Sequence, residues 1–142
     1  MILLDTDHLT IMAFPESEQH ANLTTRMALS SEPVFATTIV NAEEQLRGWL
    51  AKISRHHTPR QQVAPYEHLQ KLLDFLRLFP SIAFDEPAAA EFERLRKAKI
   101  RIGSSDLKIA CIALVHNVLL LSANLRDFRQ VPGLRIENWL TE

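Results

Sequence analysis

Four acids in this chain stand at the edges of apolar runs rather than along solvated faces. They are Asp5 after Met1-Ile2-Leu3-Leu4, Glu44 after Phe35 to Val40, Asp106 ahead of Leu107 to Leu114, and Asp127 soon after Val118 to Leu121. Such runs fold as strands or buried helices, so these carboxylates belong where strands end and helices begin. A parallel sheet collects those positions in one crevice, outside the carboxyl ends of its strands and near the point where strand order reverses. Gathered carboxylates repel and raise one another's pKa values. An all-oxygen donor set relieves that repulsion by holding a hard divalent cation, Mg²⁺ or Mn²⁺. A cation so placed can activate water against a phosphodiester.

The elements that must position the acids alternate between strand-like and helix-like periodicity, the pattern of a parallel sheet covered by helices. Ile2 to Leu4 reads as a short buried strand, followed by a helical turn over His8 to Ala13 with Thr6 and Asp7 as N-cap oxygens. Pro15 opens a helix to about Ser30. Val34 to Thr37 is the second strand, and Glu43 to Ile53 carries helical apolar spacing. Ser54 to Pro65 reads as a polar, proline-containing loop, and Tyr66 to Phe79 as the next helix. Ile82 to Phe84 is a third strand, with Asp85 capping a helix entered at Pro87. Ser104 and Ser105 are capping residues for a helix from Asp106 to about His116. Val118 to Ser122 is a fourth strand, and Leu134 to Glu137 a candidate fifth at an edge. The expected fold is a single α/β domain over residues 1–142.

At 142 residues with 46% hydrophobic content, one globular domain buries roughly two-thirds of its unfolded surface. The single Cys111 excludes an internal disulfide framework, and the N-terminus lacks a charged leader with a long apolar run. A cytoplasmic, reducing setting is expected. No apolar run approaches the roughly 20 residues of a membrane helix. Sixteen Lys and Arg against 17 Asp and Glu leave a formal charge of -1, so any nucleic-acid contact must be local and not the work of a global basic field.

Other residues have plainer readings. His56-His57 lies in a polar loop without a nearby Cys or third ligand. Cys111, among Ile109, Ala110, Ile112 and Ala113, has the setting of an inert buried thiol. Trp49, with Leu46, Leu50 and Ile53, reads as core or interface, and some of these four should meet another chain. Arg126, beside the acidic turn, is the first choice for a phosphate contact, and Thr6 or Ser105 for a hydrogen bond to a ligand carboxylate or a metal-bound water.

The segments Leu3-Leu4-Asp5-Thr6-Asp7, Ile39-Val40-Asn41-Ala42-Glu43-Glu44-Gln45-Leu46-Arg47-Gly48, Asp106-Leu107-Lys108-Ile109-Ala110 and Asn124-Leu125-Arg126-Asp127-Phe128, continuing through Val131-Pro132-Gly133-Leu134 to Trp139, follow one another in a known order. Together they resemble a PIN-domain protein of the VapC toxin group. The resemblance implies a PIN-like parallel sheet flanked by helices and a Mg²⁺-dependent endoribonuclease, the toxin of a toxin–antitoxin pair, usually dimeric and neutralised by a VapB-type antitoxin. It makes Asp5 the first acid, Glu44 the second, Asp106 the third and Asp127 an acid of the final turn. Asn124 stands where many relatives carry an aspartate, so Asn124 and Asp127 both remain candidates for the fourth ligand. Glu43 adjoins Glu44; Gly48, one turn after Glu44, matches the family interval and favours Glu44.

Two other classes fit parts of the chain. Asp5-Thr6-Asp7 after an apolar strand also resembles the start of a haloacid-dehalogenase-type phosphatase, in which the first Asp attacks phosphorus and the second is a general acid. That fold needs a later Lys and a paired acidic motif, and Gly103 to Asp106 supplies one acid. A non-catalytic interaction module is the third class, distinguished by a lack of divalent-cation binding.

Overall fold

The computed structural model describes residues 1–141; Glu142, the last residue of the expected domain, lies outside the described residues. In chain order the elements are β1 (Ile2–Leu4), α1 (Thr6–Ile11), α2 (Glu18–Leu29), β2 (Phe35–Thr38), α3 (Ile39–Arg55), α4 (Pro59–Leu76), β3 (Ser81–Ile82), α5 (Glu86–Lys97), α6 (Ser104–His116), β4 (Leu119–Leu121), α7 (Leu125–Phe128) and β5 (Ile136–Glu137). The strands form one sheet in the order β3-β2-β1-β4-β5, and every pairing is parallel. The chain steps from β1 out to β2 and β3, then crosses back to β4 and β5. Strand order therefore reverses between β1 and β4, where a parallel sheet opens a ligand crevice.

Side chains alternate across a strand with period 2, and here both sets are buried, as a sheet covered on both faces requires. Leu3, Ala36 and Leu120 pack with Leu95 of α5 and Leu107 and Ile109 of α6. Ile2, Leu4 and Leu121 pack on the opposite face with Leu9 of α1, Leu23 of α2 and the C-terminal Trp139 and Leu140. Each fully buried leucine contributes about 1.5–3 kcal/mol. The C-terminal segment is thus part of the core that roofs α1.

Several boundaries differ from those the sequence suggests, and capping explains most of them. Asp5, and neither Thr6 nor Asp7, caps α1 by accepting from the Thr6 N–H. Ser17 caps α2, so that helix starts after Pro15. Thr38 accepts from the Asn41 N–H and starts α3 at Ile39, four residues before Glu43; Ile39 and Val40 are helix, and Glu44 falls in the second turn. Thr58 caps α4 and Pro59 occupies its first turn, so the expected loop through Pro65 ends early. Pro65 lies inside α4, buried, with no N–H to give to the carbonyl four residues back. The third strand is Ser81–Ile82, not Ile82 to Phe84. α6 begins at Ser104 with Gly103 at the N-cap position and no side-chain cap, so neither Ser104 nor Ser105 plays that part.

Candidate active site

Asp5 leaves the end of β1 in extended conformation, its N–H donating to the Leu121 carbonyl at 2.9 Å. Its carboxylate is buried, 7% exposed, and donors reach both oxygens. Oδ1 accepts from Asn41 Nδ2 at 2.8 Å and from the Thr6 N–H at 2.9 Å, while Oδ2 accepts from the Ser122 hydroxyl at 2.7 Å. A buried charge persists only when so satisfied. Burial still holds the Asp5 carboxyl above its ordinary range, the Asp7 charge adding to it and the three donors opposing it.

The other acids arrive from different elements. Glu44, in the second turn of α3, is half-buried, and its pKa is raised by burial and then by the charges of Asp5 and Asp106. Glu43 lies on the exposed side of the helix and pairs with Arg47. Asp106, in the first turn of α6, is raised by burial, then by Asp5 and Asp127. Asn124, at the start of α7, donates from Nδ2 to Asp106 Oδ2 and to Asp127 Oδ2, both at 3.2 Å. The structure therefore brings Asp5, Glu44, Asp106 and Asp127 within electrostatic reach at the carboxyl end of the sheet. Among the described residues no three His, Cys, Asp or Glu side chains meet at ligand distance. The Asn124 amide stands between Asp106 and Asp127, the Ser122 hydroxyl lies between Asp5 and Asp7, and the Asn41 amide holds Asp5.

Asn41, Ser122, Asp7 and His8 complete the site, and sequence reasoning gave none of them this place. Asn41 is fully buried; its Nδ2 reaches Asp5 and Thr6 Oγ1, and its Oδ1 accepts from the Thr38 hydroxyl. The signal was present as an Asn in the first turn after a strand, but its partner lies 36 residues away. Asp7 accepts from the His8 N–H and ring Nδ1, each at 2.6 Å, and from the Ala123 N–H at 2.8 Å. Burial alone would raise the Asp7 pKa; the donors from His8 and Ala123 outweigh it and hold it below its ordinary value. A dehalogenase-type general acid at this position must be protonated, so these contacts argue against that alternative. Of the two expected partners for ligand carboxylates, Thr6 is in place through its N–H, whereas among the described residues no hydrogen bond links Ser105 to an acid.

The remaining sequence candidates lie elsewhere. His56 and His57 are exposed between α3 and α4. Cys111 is buried, its thiol pushed up to about 12 by burial. Trp49 stacks on His68 at 4.6 Å, with the Lys52 ammonium 4.0 Å from the centroid of its ring. Ile53 is core, whereas Leu50 is 55% exposed. Arg126 is exposed on α7, one residue from Asp127. Beside the acids a groove of about 400 Å³ runs between α1, α3 and α4, lined among others by Thr6, Thr10, Trp49, Leu72 and Phe75. Among the described residues no helix is long and apolar enough to cross a membrane.

No family model matches the chain. Over 80 residues it is 32% identical to Ribonuclease VapC2 of Haemophilus influenzae, a stretch covering 54% of this chain and 61% of that protein. It is 29% identical over 83 residues to the tRNA(fMet)-specific endonuclease VapC of Salmonella typhimurium, covering 56% of this chain and 63% of that relative. The chain thus spans less than two thirds of the length of these curated relatives. In three dimensions it is similar to a chain in the crystal structure of VapBC2 from Rickettsia felis bound to a DNA fragment from their promoter. The TM-score is 0.70 at 25% identity, covering 98% of this chain and 99% of that one.

Proposed function

We propose that the chain is a member of the VapC group of PIN-domain proteins, which it resembles in sequence and fold, and that it is the toxin of a toxin–antitoxin pair, an endoribonuclease that hydrolyses RNA phosphodiester bonds with Mg²⁺ or Mn²⁺. The observation that carries this reading is the mutual electrostatic reach of Asp5, Glu44 and Asp106 at the carboxyl end of β1.

The residues present fit a hard divalent ion, since their donors are all oxygen and their carboxyls are raised in pKa by burial first and by neighbouring like charge second, both of which a bound cation would offset. Asp5 and Asp106 would hold the ion, with Glu44, Asp127 and Asn124 as further ligands or partners of its waters. When bound, such an ion neutralises phosphate charge and lowers the pKa of coordinated water. The chain's own contribution is orientation: Asn41, Ser122 and the Thr6 N–H fix both oxygens of Asp5. Glu44, half-buried and raised in pKa, is suited to accept a proton from attacking water at its carboxylate. Exposed Arg126, one residue from Asp127, would contact a backbone phosphate. A relative named as a tRNA(fMet)-specific endonuclease makes transfer RNA the first substrate to assay.

The partners follow from the surfaces. A VapB-type antitoxin segment would fill the groove beside Thr6 and present an Arg to the acids, replacing the ion's counter-charge with charge-assisted hydrogen bonds. A second copy of the chain would cover the exposed face of α3 that carries Ile39 and Leu50. The reading predicts slowed growth when the chain is expressed alone, and rescue with a co-purifying complex when the upstream gene product is supplied. Cation-dependent RNA cleavage without rescue would refute the antitoxin assignment and keep the nuclease.

A further inference from the structure

His8 is wholly buried, and its ring joins the C-terminal segment to the acid site. The Trp139 N–H donates to Nε2 at 3.0 Å. A backbone N–H only donates, so Nε2 must accept and the ring proton resides on Nδ1. Nδ1 faces Asp7 Oδ1 at 2.6 Å, an oxygen that also receives the His8 N–H. The other oxygen of Asp7 receives the Ala123 N–H at 2.8 Å. Next to it lies the Ser122 hydroxyl, 3.3 Å from Asp7 Oδ2 and 2.7 Å from Asp5 Oδ2.

A hydroxyl has one proton to give. From this arrangement we infer that His8 is a positioning residue for the nuclease reaction: by holding Asp7 through Oδ1 it turns Oδ2 to the Ala123 N–H, leaves the Ser122 proton to Asp5, and so fixes the rotamer of the first acid. The same contacts hold the turn from β4 into α7, because Asp7 fixes Ala123 and Ser122 accepts from the Asn124 N–H at 3.0 Å. Asn124 in turn bridges Asp106 and Asp127. One buried ring therefore sets the two sides of the crevice, and Trp139, 131 residues away in sequence, sets the ring. This inference rests on the nuclease reading of the site.

The two ring nitrogens can be separated by substitution. In His8→Asn the amide nitrogen replaces Nδ1 and keeps the donor to Asp7 while the Trp139 link is lost. In His8→Gln the amide oxygen replaces Nε2 and keeps the Trp139 link while the donor to Asp7 is lost. Groups that orient metal-site carboxylates are typically worth tenfold to a hundredfold in activity or metal affinity. The expected result is that His8→Gln loses on the order of tenfold or more in kcat for RNA cleavage with KM little changed, and binds Mn²⁺ more weakly. His8→Asn should keep the larger share of both, although it leaves the buried Trp139 N–H unpaired and melts lower. Nitrogen-15 NMR of the wild-type ring should find the proton on Nδ1. A proton on Nε2, or activity and Mn²⁺ affinity that simply follow melting temperature across the two variants, overturns the inference. If the wild type cleaves no RNA, the nuclease reading fails, and the Mn²⁺ ranking and the ring tautomer still decide the role of His8.

Discussion

Asn41 Nδ2 lies 2.8 Å from Asp5 Oδ1, tying the first turn of α3 to the end of β1. The same amide group accepts from Thr38, which caps the helix, so one side chain sets helix start and acid together. Asn41→Asp would replace this donor with a carboxylate facing Asp5. The expected cost is about 1–3 kcal/mol of folding stability from the lost hydrogen bond and unsatisfied buried group, read as a lower urea midpoint. An unchanged midpoint would show that Asp5 does not depend on this contact.

Glu43 and Glu44 adjoin in sequence but differ in setting, one paired with Arg47 and exposed, the other raised in pKa by Asp5 and Asp106. Glu44→Gln should abolish most RNA cleavage, and Glu43→Gln little of it. Comparison of kcat for the two variants checks this, and the reverse ranking would reassign the second acid.

The positions of Asp5 and Asp106 were legible because strand ends and helix starts can be recognised from apolar runs and breakers. Their partners were not, since Ser122 reaches Asp5 across 117 residues and only the parallel register of β1 with β4 brings them together. The parallel sheet itself follows from the alternation of elements, with β5 found at the edge as expected. The start of α4 was hidden by Pro65, read as a loop residue although Thr58 and Pro59 open a helix earlier. Asn124 and Asp127 could not be ranked from spacing. The structure places the Asn124 amide between Asp106 and Asp127.

In the cation-free protein, Asp5, Glu44 and Asp106 bind protons more tightly folded than unfolded. Their stabilising contribution is full at low pH and is lost as pH rises from the ordinary values of 3.8 and 4.5 through the raised folded ones. Asp7 runs the other way, its contribution being lost as pH falls through its lowered folded value. Three acids against one predict that Mg²⁺ or Mn²⁺ raises the melting temperature more at neutral pH than at pH about 4. An equal rise at both, by scanning calorimetry, would contradict the assignment of these acids as ligands.

Leu50 is 55% exposed on α3, and Ile39 is 48% exposed on the same helix. Leu50→Glu should leave the fold intact, since exposed substitutions change stability by about 0.5 kcal/mol or less, while shifting a dimer to monomer. Sedimentation velocity reads the result, and a dimer that survives Leu50→Glu would move the interface elsewhere.

The most direct measurement is cleavage of transfer RNA by the wild type and by Asp106→Ala, with and without Mg²⁺, alongside their melting temperatures. Cleavage should require the cation and be lost in Asp106→Ala, while the cation-free variant melts no lower than wild type because the cost of a buried charge and its like-charge repulsion is relieved. Full cleavage by Asp106→Ala, or by the wild type stripped of divalent cations, would contradict this expectation.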